Sequence, residues 1–288
     1  MKDFIAYIDT DSLFIEMMSF LETVGISKED WELLSDKIKI AYVIKMSEVV
    51  EAYVDEKAFT VTQKESYNSA VDDFQIGFKQ EVVCKKALFS SKKKYGFHMV
   101  NKEGIPKDEI SVTGLEIIRS DTPTVFRIAL KDILSMILKG ATDDELTAKI
   151  EHYKKELKGS APEAISTNMG VKNLKKYIVD GISQKGAPFH VKGVANYRKL
   201  LKELGIEDRY RDIEEDSKNK VVYCKPNKWN MDTITYTEWP KEFTEAGLDV
   251  DYDRMLQKYF IGKCEILLDP INKLMLLDES ALLMEAFF

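Results

Sequence analysis

The sequence has 288 residues, of which 44% are hydrophobic and 32% are charged, and its formal net charge is -7. These proportions are typical of a globular protein and exclude general disorder. No run reaches the roughly 18 apolar residues that a transmembrane helix needs, and we expect no secretion signal at the N-terminus. Because Cys84, Cys224 and Cys264 are too few and too scattered for a disulfide framework or a zinc site, we expect reduced thiols in a cytosol.

The net negative charge hides two basic stretches. Residues 79–102 contain seven lysines and one acid, and residues 172–202 contain seven lysines, one arginine and one acid. The rest of the chain is strongly acidic. A protein that holds nucleic acid on one face and repels it elsewhere has this kind of distribution. Charge runs are also common on solvated faces, so charge alone leaves both interpretations open.

The chain begins with two short apolar runs around a polar turn. Phe4–Ile8 and Ser12–Ile15 are β-prone and flank Asp9-Thr10-Asp11, which predicts a β-hairpin. An isolated hairpin is marginally stable, so we expect the strand over residues 4–8 to need neighbouring strands.

A long helix is predicted next, over residues 28–54. Ser27 and Asp30 resemble a capping box at its start. Large apolar residues then recur at helical spacing and predict one buried face. These residues are Trp31, Leu34, Ile38, Tyr42, Val49 and Tyr53.

Composition divides the remainder into a strand-rich part and a helical part, with a boundary near residues 115–121. Strands are predicted near residues 80–90, 94–100 and 112–118, with a turn at 101–104. Helices are predicted from Thr122-Pro123 to Gly140 and over residues 143–157, 162–168, 171–180, 192–204 and 251–275, with strands within 219–239.

The strongest chemical signal is the string from Tyr7 to Ser12. It places two carboxylates, Asp9 and Asp11, on a tight turn between apolar strands. Hard anionic oxygens suit Mg²⁺, and phosphoryl transfer by two metal ions needs such carboxylates. A bare pair of aspartates would be an ordinary turn, but the whole flanked string is far more specific.

Tyr7-Ile8-Asp9-Thr10-Asp11-Ser12 resembles YxDTDS, the palm motif C of family B DNA polymerases, and Lys92-Lys93-Lys94-Tyr95 matches their KKxY motif. Further strings resemble, in order, the polymerases of T-even-type phages. These strings are Gly114-Leu115-Glu116, Ser120-Asp121-Thr122-Pro123, the thumb-like Ala187-Pro188-Phe189-His190-Val191-Lys192-Gly193, Trp239-Pro240 and the apolar tail 281–288.

The resemblance implies a catalytic role for two acids. Asp11 would be the metal-binding aspartate of motif C, and Asp9 a nearby catalytic and metal-facing carboxylate with a lesser role. Glu81 precedes the KKxY match at a distance that fits a third palm acid, but a strand-surface glutamate or a local ion-pair partner fits equally well. The implied cofactor is Mg²⁺, in a two-metal mechanism that a partner's aspartate would complete.

DNA contacts are implied at both basic stretches. Lysines can neutralise phosphates, and a tyrosine hydroxyl can reach the minor-groove edge or a sugar. The residues are Lys92, Lys93, Lys94 and Tyr95 in the first stretch, and Lys172, Lys176, His190, Lys192 and Arg198 in the second. Lys172 and Lys176 are expected to share a helix face by their i, i+4 spacing. We assign His190 no catalytic chemistry.

The resemblance implies an α+β fold: the C-terminal portion of a polymerase palm (an antiparallel sheet with helices on one face), then a mainly helical thumb with a small β insert. Palm is expected at residues 1–118 and thumb at 119–277. The tail 278–288 is a candidate sliding-clamp-binding peptide through Leu282, Leu283, Phe287 and Phe288. Docking of this tail on the chain's own thumb is the alternative.

Motif A, motif B (KxxxNSxYG) and exonuclease motifs are not found in this sequence. We therefore expect a subunit or fragment of a phage DNA-directed DNA polymerase, from a split gene or a longer protein, that is inactive alone. Its partners would be an N-terminal polymerase chain (exonuclease, fingers and motif A), primer-template DNA, deoxynucleoside triphosphates and a sliding clamp, in the cytoplasm of an infected bacterium. The alternative is a non-catalytic module that binds duplex DNA and a clamp. Other palm enzymes, such as reverse transcriptases or cyclases, fit less well because their motif C strings differ.

Overall fold

The computed structural model describes residues 4–59, 61, 65, 77–119 and 121–277. The chain divides into two compact units, Met1–Thr113 and Gly114–Phe288. Helices and small antiparallel sheets occur in both units, which confirms the predicted α+β class. Within the described ranges, no helix is both long and apolar enough to cross a bilayer.

The predicted hairpin is confirmed at the start of the first unit. Strands β1 (Ile5–Asp9) and β2 (Ser12–Ile15) pair antiparallel, with Asp9 opposite Ser12. Helix α1 (Met17–Thr23) follows directly, because the Glu16 carboxylate accepts hydrogen bonds from the backbone N–H groups of its first turn.

The prediction of one helix over residues 28–54 is wrong, because two helices occupy this range. Helices α2 (Lys28–Leu33) and α3 (Asp36–Tyr53) are separated by Leu34 and Ser35, which both have extended backbone. Ser35 followed by an acidic residue is itself a helix-start signal, which the uninterrupted apolar spacing concealed. A π-helical turn, Val54–Phe59, follows α3.

A three-stranded antiparallel sheet completes the first unit, with strands in the order β3 (Val82–Ser91), β4 (Lys94–Lys102) and β5 (Ile105–Thr113). The strand predicted over 112–118 is wrong in position. Glu103 and Gly104 both have positive φ, at 49° and 84°, so the chain reverses in two residues and β5 begins at once. The first half of β5 is exposed and includes proline, lysine, aspartate and glutamate, which are depleted in strands, so the sequence did not indicate a strand there.

The second unit opens with a helical pair. Helix α4 (Thr124–Lys139) ends at Gly140, whose φ of 85° is left-handed, and helix α5 (Asp143–Lys158) begins with a capping box formed by Thr142 and Glu145. Both predicted helices are confirmed. The apolar face of α4 is fully buried and forms much of the core of this unit.

The middle of the second unit is more broken than predicted. The helix predicted over 162–168 stops early, because α6 (Pro162–Ile165) is followed by a short strand. The helix predicted over 171–180 is only one turn long. The elements here are β6 (Thr167–Gly170), α7 (Leu174–Tyr177), β7 (Ile178–Val179), β8 (Ile182–Ser183) and α8 (Phe189–Leu204). Helix α8 ends at Gly205, as predicted.

A small sheet lies within the second unit, in the order β10-β9-β6. Strands β9 (Lys218–Tyr223) and β10 (Thr233–Tyr236) account for the predicted strand region, and α8 packs against β10. Close approach requires Gly193, because a Cβ atom there would lie 2.4 Å from Thr235 Oγ1 and 2.6 Å from Thr235 N.

The helix predicted over 251–275 is interrupted. A π turn over Gln257–Ile261 interrupts it, and Pro270, which lacks an N–H donor, lies in a 3₁₀ turn near its end. The last described elements are α9 (Lys241–Glu245), α10 (Tyr252–Leu256), α11 (Gly262–Leu268) and 3₁₀ turns at Asp269–Ile271 and Leu274–Leu277.

Candidate active site and DNA-contacting surface

The turn of the first hairpin presents its two aspartates differently. Thr10 has a φ of 55°, and hydrogen bonds from Thr10 Oγ1 to Asp9 Oδ1 (3.3 Å) and from Ser12 Oγ to Asp9 O (3.1 Å) stiffen the turn. The Asp9 side chain is only 15% exposed. Asp11 is exposed, and its carboxylate has no hydrogen-bond or ion-pair partner among the described residues.

The structure brings the hairpin turn together with the KKxY match. The Tyr95 hydroxyl donates to Asp9 Oδ2 at 3.2 Å, although the two residues are 86 positions apart. Lys93 Nζ lies 3.9 Å from Asp9 Oδ1. Asp9 therefore has both a hydroxyl donor and a cation from the basic turn between β3 and β4.

Tyr7 makes a second connection between the two motifs, which the sequence did not predict. Its hydroxyl accepts a hydrogen bond from the backbone N–H of Lys93 at 2.6 Å. Its ring stacks on Phe89, with centroids 4.9 Å apart. The only sequence signal for this role was the leading tyrosine of the YxDTDS string.

An aromatic cluster holds the two strands of the hairpin against the larger sheet. The centroids of neighbouring rings in this cluster are at most 6.4 Å apart, and the pairs are stacked, tilted or edge-on. Burial in this cluster raises the pKa of Tyr95, and the adjacent Asp9 carboxylate raises it further. The phenol therefore stays protonated and remains a donor to Asp9. The cluster consists of Tyr7, Phe14, Phe89, Tyr95 and Phe97.

The acids of this unit form part of a metal site at most. Mg²⁺ prefers carboxylate oxygens, which Asp9 and Asp11 supply from one turn. No group of three or more His, Cys, Asp or Glu side chains in the described ranges is arranged to hold a metal. The donor set therefore fits Mg²⁺ in kind but leaves its coordination shell incomplete.

Glu81 is not brought to the two aspartates. It is exposed and immediately precedes β3, whereas Lys93 and Tyr95 follow the other end of that strand. A ten-residue strand spans roughly 30 Å. Its position does not support the expectation of a third metal-binding acid at Glu81.

The first lysine cluster is placed to meet a ligand beside the aspartates. Lys92 and Lys93 are exposed in the turn between β3 and β4, and Lys94 is half-buried at the start of β4. Lys93 has a left-handed φ of 61°, so the turn projects from the end of the strands. Lysines at the end of a hairpin can approach phosphates without steric hindrance from the sheet.

The second group of lysines does not have the helical spacing that we expected. Lys172 precedes Asn173, which has a φ of 59°, and α7 begins only at Leu174. The Glu215 carboxylate accepts from the backbone N–H of Leu174 at 2.8 Å and starts the short helix there. Lys172 and Lys176 are both exposed, but they do not share the face of one helix.

The DNA contacts predicted on α8 differ in whether their charges are exposed or already paired within the protein. Lys192 is exposed. Arg198 instead forms a two-pronged ion pair with Asp212, at 2.7 and 2.9 Å, and donates to the Ile213 carbonyl at 2.8 Å. Arg198 therefore has a structural role that its charge alone did not indicate. Burial lowers the pKa of His190, so its imidazole is neutral near pH 7.

The predicted clamp-binding residues of the tail lie outside the described residues. These are Leu282, Leu283, Phe287 and Phe288.

Comparisons with known proteins agree with the motif resemblance. No protein-family model matches the sequence. The DNA-directed DNA polymerase of Enterobacteria phage T4 is 24% identical over 281 residues, and that of Escherichia phage RB69 is 24% identical over 279 residues. The matches cover 92% and 91% of this chain but only 30% of each polymerase, so the chain spans less than a third of the length of these relatives. Across nine-tenths of its length, the chain is similar to bacteriophage DNA-directed DNA polymerases, as its motifs predict.

Proposed function

We propose that this chain is part of a DNA-directed DNA polymerase of family B, to which it supplies the motif C aspartates and a surface that holds primer-template duplex. The observation that carries the proposal is the hydrogen bond from Tyr95 to Asp9. Through it, a carboxylate pair suited to metal ions lies beside a basic turn suited to a DNA backbone. A polymerase needs both features at the primer terminus.

The two aspartates have distinct roles in this proposal. Bound Mg²⁺ would neutralise charge on the attacking and leaving oxygens of nucleotidyl transfer. Asp11 offers an exposed carboxylate and is the principal ligand. Asp9, which already accepts from Tyr95 and lies near Lys93, has less free capacity and orients the basic turn as well as facing the metals.

Groups other than Asp9 and Asp11 must complete the active site. Two carboxylates cannot complete an octahedral shell, and the sequence lacks motifs A and B. We infer that an N-terminal polymerase chain supplies motif A, the fingers that hold the deoxynucleoside triphosphate, and the exonuclease. The chain alone is then inactive, and the complex acts in the cytoplasm of an infected bacterial cell.

The remaining proposed contacts are made by cations of the two basic stretches. The duplex near the primer terminus is contacted by Lys92, Lys93 and Lys94, and Tyr95 follows them in β4. We assign the first unit to the palm and the second to the thumb. Lys172, Lys176 and Lys192 contact the duplex backbone from the thumb, His190 contributes no charge, and Arg198 acts through its ion pair. Residues 278–288 remain a proposed clamp-binding tail.

Primer extension by the purified pair of chains tests the proposal. The wild-type mixture should extend a primer in Mg²⁺, and Asp11→Ala should lower the rate at least about 100-fold, as expected for loss of a metal ligand. Asp144→Ala, at an exposed aspartate on α5, is the matched control and should leave the rate unchanged. Extension that survives Asp11→Ala would reject the catalytic role. Duplex binding without any extension by the wild-type mixture would instead support the non-catalytic module.

A further inference from the structure

Helix α3 exposes an unusual amount of apolar surface. It is 18 residues long, yet none of its residues is buried. Four large apolar side chains on it are 45–66% exposed. They are Ile38, Tyr42, Val49 and Tyr53, which we call the α3 stripe.

The α3 stripe lies on one side of the helix. Its members occupy positions i, i+4, i+11 and i+15, which share a face at 3.6 residues per turn. At about 1.5 Å per residue, the stripe is roughly 22 Å long. The small residues Ala41 and Ala52 and the charged Lys45 lie along one edge of the stripe and are exposed as well.

The opposite side of α3 is fixed to its own unit. Lys85 of β3 bridges to Asp36 at 2.5 Å, and the Glu51 carboxylate accepts from the backbone N–H of Gln80. Ile40 and Ile44 are half-buried on this side. These anchors hold the helix in one orientation, so the exposed stripe is a defined surface of this unit.

We propose that the α3 stripe is the docking surface for the polypeptide that carries the remaining polymerase sequence, an inference that rests on the proposed function. The chain spans only 30% of each polymerase that it matches, so most of the relatives' length lies outside it. In the proposed function, this remaining sequence also brings a carboxylate to the metal ions that Asp11 would hold. It must therefore contact this unit, which carries both Asp11 and α3.

The chemistry of the stripe suits a stable protein partner. Interface cores are enriched in aromatic residues and depleted in charge, and two tyrosines with two β-branched residues fit that composition. The partner surface should be a complementary apolar face with a polar rim, because Lys45 and Glu48 pair beside the stripe at 2.6 Å.

Binding of the full chain to the motif A and motif B polypeptide from the same source tests this inference. The variant is Tyr42→Lys combined with Val49→Lys. Ile128→Lys, at an apolar residue of α4 that is 60% exposed, is the matched control. The double variant should weaken the dissociation constant at least about 30-fold, the loss expected for one hot-spot residue, and the control should bind like wild type.

The outcomes separate the two proposals. Equal binding by the wild type and the double variant would overturn the α3 stripe alone. Failure of the wild-type chain either to bind this polypeptide or to extend a primer with it would overturn the proposed function, and this inference with it. A lower melting temperature of the isolated double variant would assign the stripe to the chain's own packing, and wild-type dimers absent from the variant would assign it to a second copy. Either result also overturns the proposal.

Discussion

Asp9 and Asp11 are two positions apart, but their surroundings differ. The difference predicts which of the two contributes more to activity. Asp9 is half-buried, accepts from the Tyr95 hydroxyl and lies near Lys93. Asp11 is exposed and has no such partner in the described part of the chain. A carboxylate without internal donors keeps both oxygens for a metal ion. Replacement of Asp11 should therefore cost more activity than replacement of Asp9.

Tyr7→Phe should weaken DNA binding while largely preserving the fold. The ring keeps its stacking on Phe89, but the backbone N–H of Lys93 loses its acceptor. Because the turn is exposed, the free energy of unfolding should fall by only about 0.5 kcal/mol. Less order in the turn should raise the dissociation constant for a short duplex about fivefold.

Fluorescence anisotropy with a labelled primer-template measures that effect. Tyr42→Phe removes the same hydroxyl from an exposed tyrosine and should leave duplex affinity unchanged. If the two variants bind duplex equally well, Tyr7 does not position the basic turn.

Thr10→Asn should stabilise the protein. A β-branched residue at a φ of 55° is strained, whereas asparagine tolerates the left-handed region. The gain should be about 0.5–1 kcal/mol in the free energy of unfolding, because the strain that is relieved exceeds the loss of the long, exposed hydrogen bond from Thr10 Oγ1 to Asp9. Asn173→Thr makes the opposite change at a φ of 59° and should lose a similar amount. Urea titration measures both changes. If Thr10→Asn does not stabilise the protein and Asn173→Thr does not destabilise it, these turns are not strained.

At the scale of elements, the sequence predicted those helices and strands whose ends are determined by residues close by in the chain. The β1–β2 hairpin and the α4 and α5 helices follow from turn residues, caps and apolar spacing within a few positions. The break between α2 and α3 was missed because Leu34 continues the apolar spacing through it.

The sequence predicted which residues belong to the candidate site, but it did not predict their contacts. The motif string identified Asp9 and Asp11, but the bond from Tyr95 to Asp9 joins residues 86 positions apart. The ion pair of Arg198 likewise uses Asp212, which lies in a loop beyond its helix. No local pattern records such pairings, because they depend on how the elements pack together.

Gly193→Ala should destabilise the packing of α8 on β10. The added Cβ would meet Thr235 N at 2.6 Å, and that backbone atom cannot move without disturbing the strand. We expect a loss of about 1–3 kcal/mol, the usual cost of overpacking. Gly170→Ala, where no atom lies within 4 Å of the new Cβ, is the matched control. Urea unfolding compares them, and equal midpoints would show that α8 can shift away from β10 at little cost.

At the scale of the whole molecule, the proposed function requires an acidic protein to bind an acidic polymer through a few lysines. The net charge is -7, so long-range repulsion opposes DNA binding except near the two basic stretches. Each lysine that neutralises a phosphate releases condensed counterions from the duplex. The logarithm of the binding constant should therefore fall linearly with the logarithm of the salt concentration.

Single substitutions should show how much each cation contributes to the slope of that line. Lys92→Ala and Lys172→Ala, one in each unit, should each make the slope shallower by about 0.9, the value for one phosphate contact on duplex DNA. Arg198→Ala should leave the slope unchanged, because its guanidinium is already paired with Asp212, and should lower the free energy of unfolding instead. Titrations of a labelled duplex at several salt concentrations measure the slopes, and urea unfolding measures the stability. A shallower slope for Arg198→Ala would mean that the ion pair opens on DNA. An unchanged slope for Lys172→Ala would remove Lys172 from the proposed DNA-contacting surface.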